Sequence, residues 1–262
     1  MSPSRSLTHA AVVERLRSAG CVFAEDEAEL LAEAARTPAE LAAMTERRAA
    51  GLPLEHVVGW AEFRGLRIAV DPGVFVPRRR TEFLVERAAA LAPPDAVVVD
   101  LCCGAGALGA ALAAARPGVE LHAADIDPAA VRCARRNVPA GARVYEGDLY
   151  DPLPAALRGR VAVLLANVPY VPTAEVALLP AEAREHEAWV ALDGGADGLA
   201  VLRRVTAGAA GWLAPGGHLL FETSRRQAPL AAAIAAGDGL AARVVTSDEH
   251  EATVVIGTRG TG

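Results

Sequence analysis

Apolar residues recur at helical spacing through the first fifty positions: Val12, Val13 and Leu16, then Leu30, Leu31 and Ala34. That pattern predicts helices over 7–19 and 26–36. Thr37-Pro38-Ala39-Glu40 has the form of a capping box with proline at the first helical position, and Gly51 stops the third helix it opens. From Pro53 to Pro77 the period falls to two, with Gly59 and Gly65 punctuating His56-Val57-Val58 and Leu66-Arg67-Ile68-Ala69-Val70. Strands or a hairpin are expected there. Beyond Pro77, strand-like and helix-like segments alternate: helix 81–91, strand 97–99, helix 108–115, strand 120–124, helix 128–137 and strand 143–146. The alternation continues through strand 161–166, helix 199–213, strand 218–222 and helix 226–236, and two strands near 243–246 and 253–256 close the chain. Such a sequence predicts an α/β fold with a mainly parallel sheet covered on both faces. The last two strands lack a helix between them, so the sheet is expected to finish antiparallel. Three units follow: a helical unit over 1–52, a β-hairpin linker over 53–76, and an α/β domain over 77–262.

Composition narrows the chemistry. Of 262 residues, 52% are apolar and 22% charged, a globular balance that leaves enough apolar surface for a sizeable core. All 26 basic residues are arginine. The absence of lysine excludes Schiff-base chemistry, pyridoxal phosphate attachment and the lysine of a Walker A loop. A net charge of −6 argues against strong nonspecific binding to nucleic acid. Cys21, Cys102, Cys103 and Cys133 form no C-x-x-C pair and are read as reduced thiols of a cytoplasmic protein. The six histidines lack metal-ligand spacing, so no metal site is expected. Neither a signal peptide nor a bilayer-spanning stretch is visible, so no membrane association is expected.

In an open parallel sheet, ligands bind beyond the carboxyl ends of the strands. Four such ends carry informative residues. Asp100-Leu101-Cys102-Cys103-Gly104-Ala105-Gly106 follows strand 97–99, and its glycines let the backbone approach a ligand ahead of a helix N-terminus. Such a turn can also do no more than join strand to helix. Asp125 closes the next strand about twenty residues on, where a carboxylate can accept the hydroxyls of a ribose. The bland alternative is a helix cap before Pro128, a role better suited to Asp127. Gly147-Asp148-Leu149 offers an acid and an apolar side chain for an adenine ring, or an ordinary turn. The fourth end is Asn167-Val168-Pro169-Tyr170, which holds one of only two asparagines in the chain. An asparagine side-chain oxygen and the backbone carbonyl after it can accept both N–H bonds of a planar –NH2 group. Tyr170 would supply an aromatic wall.

These motifs resemble the HemK/PrmC-type protein glutamine methyltransferases, from about Pro53 almost to the C-terminus. Pro53-Leu54-Glu55-His56-Val57-Val58-Gly59, Glu62-Phe63-Arg64-Gly65-Leu66 and Val76-Pro77-Arg78 with Thr81-Glu82 are similar to that family's interdomain signature. Ala191-Leu192-Asp193-Gly194-Gly195-Ala196-Asp197-Gly198-Leu199 is similar to its loop and helix after the catalytic motif. The resemblance implies a helical substrate-recognition domain and a class I, Rossmann-like methyltransferase domain. It also implies S-adenosylmethionine as methyl donor, leaving S-adenosylhomocysteine. The acceptor would be a glutamine side-chain amide in a protein, by resemblance the Gly-Gly-Gln loop of a peptide chain release factor. Asn167, Val168, Pro169 and Tyr170 would then handle the acceptor. Asp100, Cys102, Cys103, Gly104, Ala105, Gly106, Asp125, Asp148, Leu149 and Asn167 would surround the cofactor. The chain departs from the family at Val168, where proline is usual, at Cys102, where glycine is usual, and at Arg79-Arg80, which replace a Pro-Glu pair. The rival readings are an amino-methyltransferase acting on adenine of RNA or DNA, and a cofactor-binding regulatory module without turnover.

Overall fold

The computed structural model describes residues 8–261; Leu7, at the predicted start of the first helix, and the segment before it lie outside the described residues, as does Gly262. The N-terminal unit holds α1 (His9–Ser18), α2 (Ala24–Ala34) and α3 (Pro38–Ala49). Thr8 caps α1 by accepting the Ala11 amide. Thr37 caps α3 through the Glu40 amide at 3.1 Å, while the Glu40 carboxylate reaches back one residue further than a capping box requires, to the Arg36 amide at 2.8 Å. Val12, Leu16, Ala28, Leu31 and Met44 form the bundle's own small core.

His56-Val57-Val58 corrects the strand expectation. These residues belong to a short helix, α4 (Leu54–Val58), which opens after Pro53 and closes on Gly59 in the left-handed conformation at φ +86°. The Val57 amide donates to the Pro53 carbonyl and the Gly59 amide to the Glu55 carbonyl, the i to i−4 bonds of a helix; Val57 packs into the bundle core and His56 is buried against the Val74 carbonyl at 2.8 Å. The hairpin is instead β1 (Trp60–Phe63) with β2 (Leu66–Ala69), turning through Arg64 and Gly65. Phe63 and Ile68 are buried in the main core, so the hairpin packs onto the large domain rather than spanning free solvent.

The α/β domain continues with α5 (Glu82–Leu91), β3 (Val97–Leu101), α6 (Ala107–Ala115), β4 (Glu120–Asp125), α7 (Pro128–Asn137), β5 (Arg143–Glu146) and β6 (Val161–Ala166). It is completed by α8 (Ala181–His186), α9 (Trp189–Leu192), α10 (Ala200–Trp212), β7 (Leu213–Glu222), α11 (Ala228–Gly237), β8 (Leu240–Ser247) and β9 (Ala252–Arg259). The strand order is β5-β4-β3-β6-β7-β9-β8. Neighbours from β5 to β7 pair parallel, whereas β9 runs antiparallel to both β7 and β8. One sheet face is covered by α5, α6 and α7 and the other by α10 and α11, with Val98, Val163 and Leu220 facing the first layer and Val99, Leu164 and Leu219 the second. The central strands are therefore apolar on both faces, as parallel strands between two helical layers must be. Register brings the strand ends level: Leu101 lies opposite both Ala124 and Ala166, and Ala166 opposite Phe221. The residues that follow these four positions form one row along the carboxyl edge of the sheet.

Candidate active site

The first member of that row is the turn between β3 and α6. Cys102, Gly104 and Gly106 all take positive φ, at 55°, 54° and 78°. At Gly106 a side chain would also meet α7, since a Cβ there lies 3.0 Å from that of Ala134. The turn is tied to the next strand end. The Gly104 amide donates to Asp125 Oδ2 at 2.8 Å, and the Asp127 amide donates to Asp125 Oδ1 at 2.9 Å. Burial raises the pKa of Asp125, opposed by those amides. Asp127, not Asp125, caps α7 by accepting the Ala129 amide. Asp100 sits wholly buried beneath the turn. Its Oδ2 accepts the Gly109 amide at 2.9 Å while Oδ1 has no hydrogen-bond partner. Burial above all pushes this carboxyl up to about 7.

Asn167 follows β6. Its side-chain oxygen is buried and unpartnered. Val168 turns its side chain into the core beside α10, at 2% exposure, which leaves its backbone facing the strand ends. The loop after Leu192 backs this turn: the Gly194 amide donates to the Val171 carbonyl at 2.8 Å, and a Cβ on Gly194 would stand 2.7 Å from the Pro169 carbonyl. A Cβ on Gly198 would collide with the Tyr170 carbonyl, which accepts from Gln227 Nε2 at 3.0 Å. The Asp193–Leu199 glycines thus let one loop lie flat against another. The Tyr170 hydroxyl meets Glu222, at the end of β7, and Arg80; burial first, then the Glu222 carboxylate, pushes the phenol up to about 12.

Together these strand ends bound a cavity of about 390 Å³. Its volume lies in the range typical of small-molecule sites. Cys102 to Ala105, Asp125 and Asn167 to Tyr170 form its floor, and Phe75, Pro77, Arg78 and Arg80 one side. Its roof is the segment after Tyr170, through Leu179, Pro180, Glu182 and Val190, in and around α8 and α9. Glu187 pins that roof to the opposite wall: its Oε1 accepts the Val76 amide at 3.1 Å and Arg78 Nη2 at 2.6 Å. Burial raises the Glu187 pKa, and Arg78 holds against that rise.

Four of the sequence-predicted residues do not line the cavity. Asp100 lies below the turn and Gly106 behind it, at the start of α6. Leu149 packs against the α10 side of the core, and Asp148 is engaged by Arg204 at 2.7 Å. The structure adds residues that sequence reasoning missed. Arg80, half-exposed in the cavity wall, is bonded to both Glu222 and Tyr170. Asn137, the other asparagine, donates to the Ala105 carbonyl and exchanges two bonds with the backbone of Ala69, all at 2.8 Å. Its rarity in the chain was the only signal. No group of three or more His, Cys, Asp or Glu side chains among the described residues is placed to hold a metal, and no helix among them is long and apolar enough to cross a membrane.

Comparison with known proteins fits this geometry. The methyltransferase small domain profile matches residues 65–186. The release factor glutamine methyltransferase of Geobacter sulfurreducens is 37% identical over 85% of this chain and 79% of its own length. The chain belongs to the release factor glutamine methyltransferase family. The Mycolicibacterium smegmatis relative of the same name is 45% identical over 67% of this chain, but only 63% of its own length is spanned. Among solved structures, a methyltransferase from Pyrococcus furiosus superposes with a TM-score of 0.56 at 16% identity, over 75% of this chain and 90% of that one. That likeness establishes a shared methyltransferase fold. The family assignment makes the chain an enzyme that transfers methyl groups.

Proposed function

We propose that this enzyme transfers a methyl group from S-adenosylmethionine to the side-chain amide nitrogen of a glutamine in a peptide chain release factor. The carrying observation is the unpartnered, buried Asn167 oxygen in the floor of the cavity. Leaving such an oxygen without a donor costs about 1–3 kcal/mol. A bound group carrying N–H bonds removes that penalty, and a primary amide is such a group. Asn167 Oδ1 accepts one N–H and the Val168 carbonyl the other, so the nitrogen presents the face perpendicular to its amide plane. Pro169 and Tyr170 confine that plane. Both polar capacities of the Tyr170 hydroxyl that face protein are in use, so it serves as wall and not as base.

The other end of the cavity suits a nucleoside. Asp125 keeps a free lone pair on each oxygen after accepting its two amides, which fits a ribose diol. Cys102 to Ala105 bring backbone to the same wall. S-adenosylmethionine supplies an already activated sulfonium methyl, so the protein's part is alignment, an effect worth about 7–11 kcal/mol when reactants are well placed. The N–CH3 bond would form as the S–CH3 bond breaks, leaving S-adenosylhomocysteine; Asn167 Oδ1 holds the nitrogen's proton in a hydrogen bond until it passes to solvent water. Asp148, held by Arg204, and Leu149, in the core, receive no cofactor contact in this proposal.

The experiment is incubation with isotope-labelled S-adenosylmethionine and a release factor, followed by mass spectrometry of the acceptor peptide. One methyl on a glutamine is expected, and Asn167→Ala should abolish it while binding cofactor as the wild type does. Label appearing in RNA, with the protein acceptor unmodified, would establish the adenine-amine alternative instead.

A further inference from the structure

Arg78, Arg79 and Arg80 are consecutive, yet they do not form one basic face. Arg78 stacks its guanidinium over the Phe75 ring at 4.9 Å and bonds Glu187. Arg80 points to the far end of the acceptor slot, where three groups close a triangle. Arg80 Nε donates to Glu222 Oε1 at 2.9 Å, Arg80 Nη2 donates to the Tyr170 hydroxyl at 2.7 Å, and that hydroxyl donates to Glu222 Oε1 at 3.0 Å.

Glu222 is the fixed point of the triangle. It ends the strand beside β6, one register step past Phe221, and its side chain is only 3% exposed. A carboxylate this buried needs a counter-charge or hydrogen-bond donors, and here the cation stands on the solvent side of it, with 46% of the Arg80 side chain exposed. Arg80 supplies the charge and in the same posture reaches Tyr170. Arg80 and Tyr170 also stand in the wall shared by the main cavity and a side cleft bordered by Glu222, Thr223 and Asp248. The tyrosine ring therefore has room on two sides. Gln227 holds its backbone carbonyl, and the triangle holds its far end.

We infer that Arg80 is a positioning residue for the acceptor: by pairing with Glu222 it fixes the Tyr170 ring as the wall of the slot in which the amide is aligned. This rests on the reading that the Asn167–Tyr170 turn receives the acceptor amide. Arg80 itself makes no contact with the reacting atoms in this scheme. Its removal frees the ring to rotate toward the side cleft and leaves the amide plane less constrained. Loss of alignment of about an ångström can lower turnover by roughly a hundredfold.

The full chain has three tyrosines, Tyr145, Tyr150 and Tyr170, so labelling tyrosine with carbon-13 at Cζ alone gives three resonances, and Tyr170→Phe identifies the third. In Arg80→Met the Tyr170 resonance should shift or broaden while those of Tyr145 and Tyr150 stay in place. Turnover of the glutamine acceptor should fall about ten- to hundredfold, with cofactor affinity unchanged. Tyr170→Phe loses the same anchor, so the double variant Arg80→Met/Tyr170→Phe should be no slower than the slower single variant. Arg80→Lys, which keeps a cation within reach of Glu222, should recover much of both the resonance position and the turnover.

Losses that multiply in the double variant would mean that Arg80 touches the acceptor directly, and would overturn the inference. So would a Tyr170 resonance that Arg80→Met leaves unmoved. If the wild type methylates no glutamine at all while the resonance still moves, the anchoring stands and the acceptor reading fails.

Discussion

Arg48 of α3 donates through Nη1 to Glu182 of α8 at 2.6 Å, a single contact that joins the helical bundle to the roof of the cavity 134 residues later. The same guanidinium makes two bonds to Glu27 of α2, at 2.6 and 3.0 Å, and one to the Leu52 carbonyl at 2.9 Å. With side-chain exposures of 9% and 11%, Arg48 and Glu27 are a buried pair. Glu27 above all holds the Arg48 guanidinium protonated well above its ordinary range.

Arg48→Met should therefore destabilise the bundle by about 3–5 kcal/mol, because it strands the Glu27 carboxylate. Adding Glu27→Leu should restore most of that loss, since the unpaired charge is then gone. Urea unfolding of the two variants checks both statements. A single variant as stable as the wild type would show that the pair contributes nothing.

Asn137→Ala removes the clasp between β2 and the Cys102–Gly106 turn. It leaves the backbone N–H of Ala69 without its partner, at about 1–3 kcal/mol, while the Ala69 carbonyl keeps the Cys133 thiol at 2.9 Å. Cofactor affinity should fall with stability, because the Ala105 carbonyl loses its bond as well. Calorimetric titration alongside thermal unfolding separates the two effects, and an unchanged affinity would show the turn to be self-supporting.

Much of this architecture was legible in the chain. The parallel sheet followed from Val161–Ala166 and its fellows, which are apolar on both faces, and from the alternation of strands with helices. The strand ends with Asp125 and Asn167 followed from their spacing. What could not be read was pairing across long separations. Nothing local shows that Arg80 meets Glu222, 142 residues away, or that Arg48 meets Glu182. His56-Val57-Val58 misled for a different reason. Three residues are too few to distinguish period two from one helical turn, and Pro53 before and the left-handed Gly59 after the segment close it as a helix. The roof from Thr173 to Leu192 is built of short turns whose residues have no period, and it was silent for that reason.

Asp125→Ala should weaken S-adenosylmethionine binding by about 1.5–3 kcal/mol, the usual worth of hydrogen bonds to a charged group. The Gly104 and Asp127 amides also lose their acceptor, so the turn should become more exchange-labile. Calorimetric titration measures the first effect and amide hydrogen exchange the second. Wild-type affinity would remove Asp125 from the site.

Asp100 gives a pH signature. Burial raises its folded pKa to about 7, far above an exposed aspartate, so between pH 4 and 7 the folded state holds a proton that the unfolded state has lost. Stability from this group is therefore present at low pH and declines as pH rises through that window. His218, lowered chiefly by burial, slopes the other way, so the comparison must be between variants. Asp100→Asn keeps an acceptor for the Gly109 amide and removes the titration. Its unfolding midpoint should gain on the wild type from pH 5 to about pH 7 and level off above that. A constant difference across that range would show that Asp100 is charged throughout.

The position of β9 bears on how the protein is made. It is the last strand in sequence but lies between β7 and β8, paired on both edges. Until it arrives, β7 has an open edge at Leu219, Leu220 and Phe221, all of them fully buried in the finished sheet. An unpaired apolar edge is a template for pairing with other chains. A nascent molecule is therefore sticky for as long as Ala252–Arg259 is missing, however complete the cofactor end may be. Truncation within this segment should send the product to the insoluble fraction rather than to a soluble, weakened enzyme.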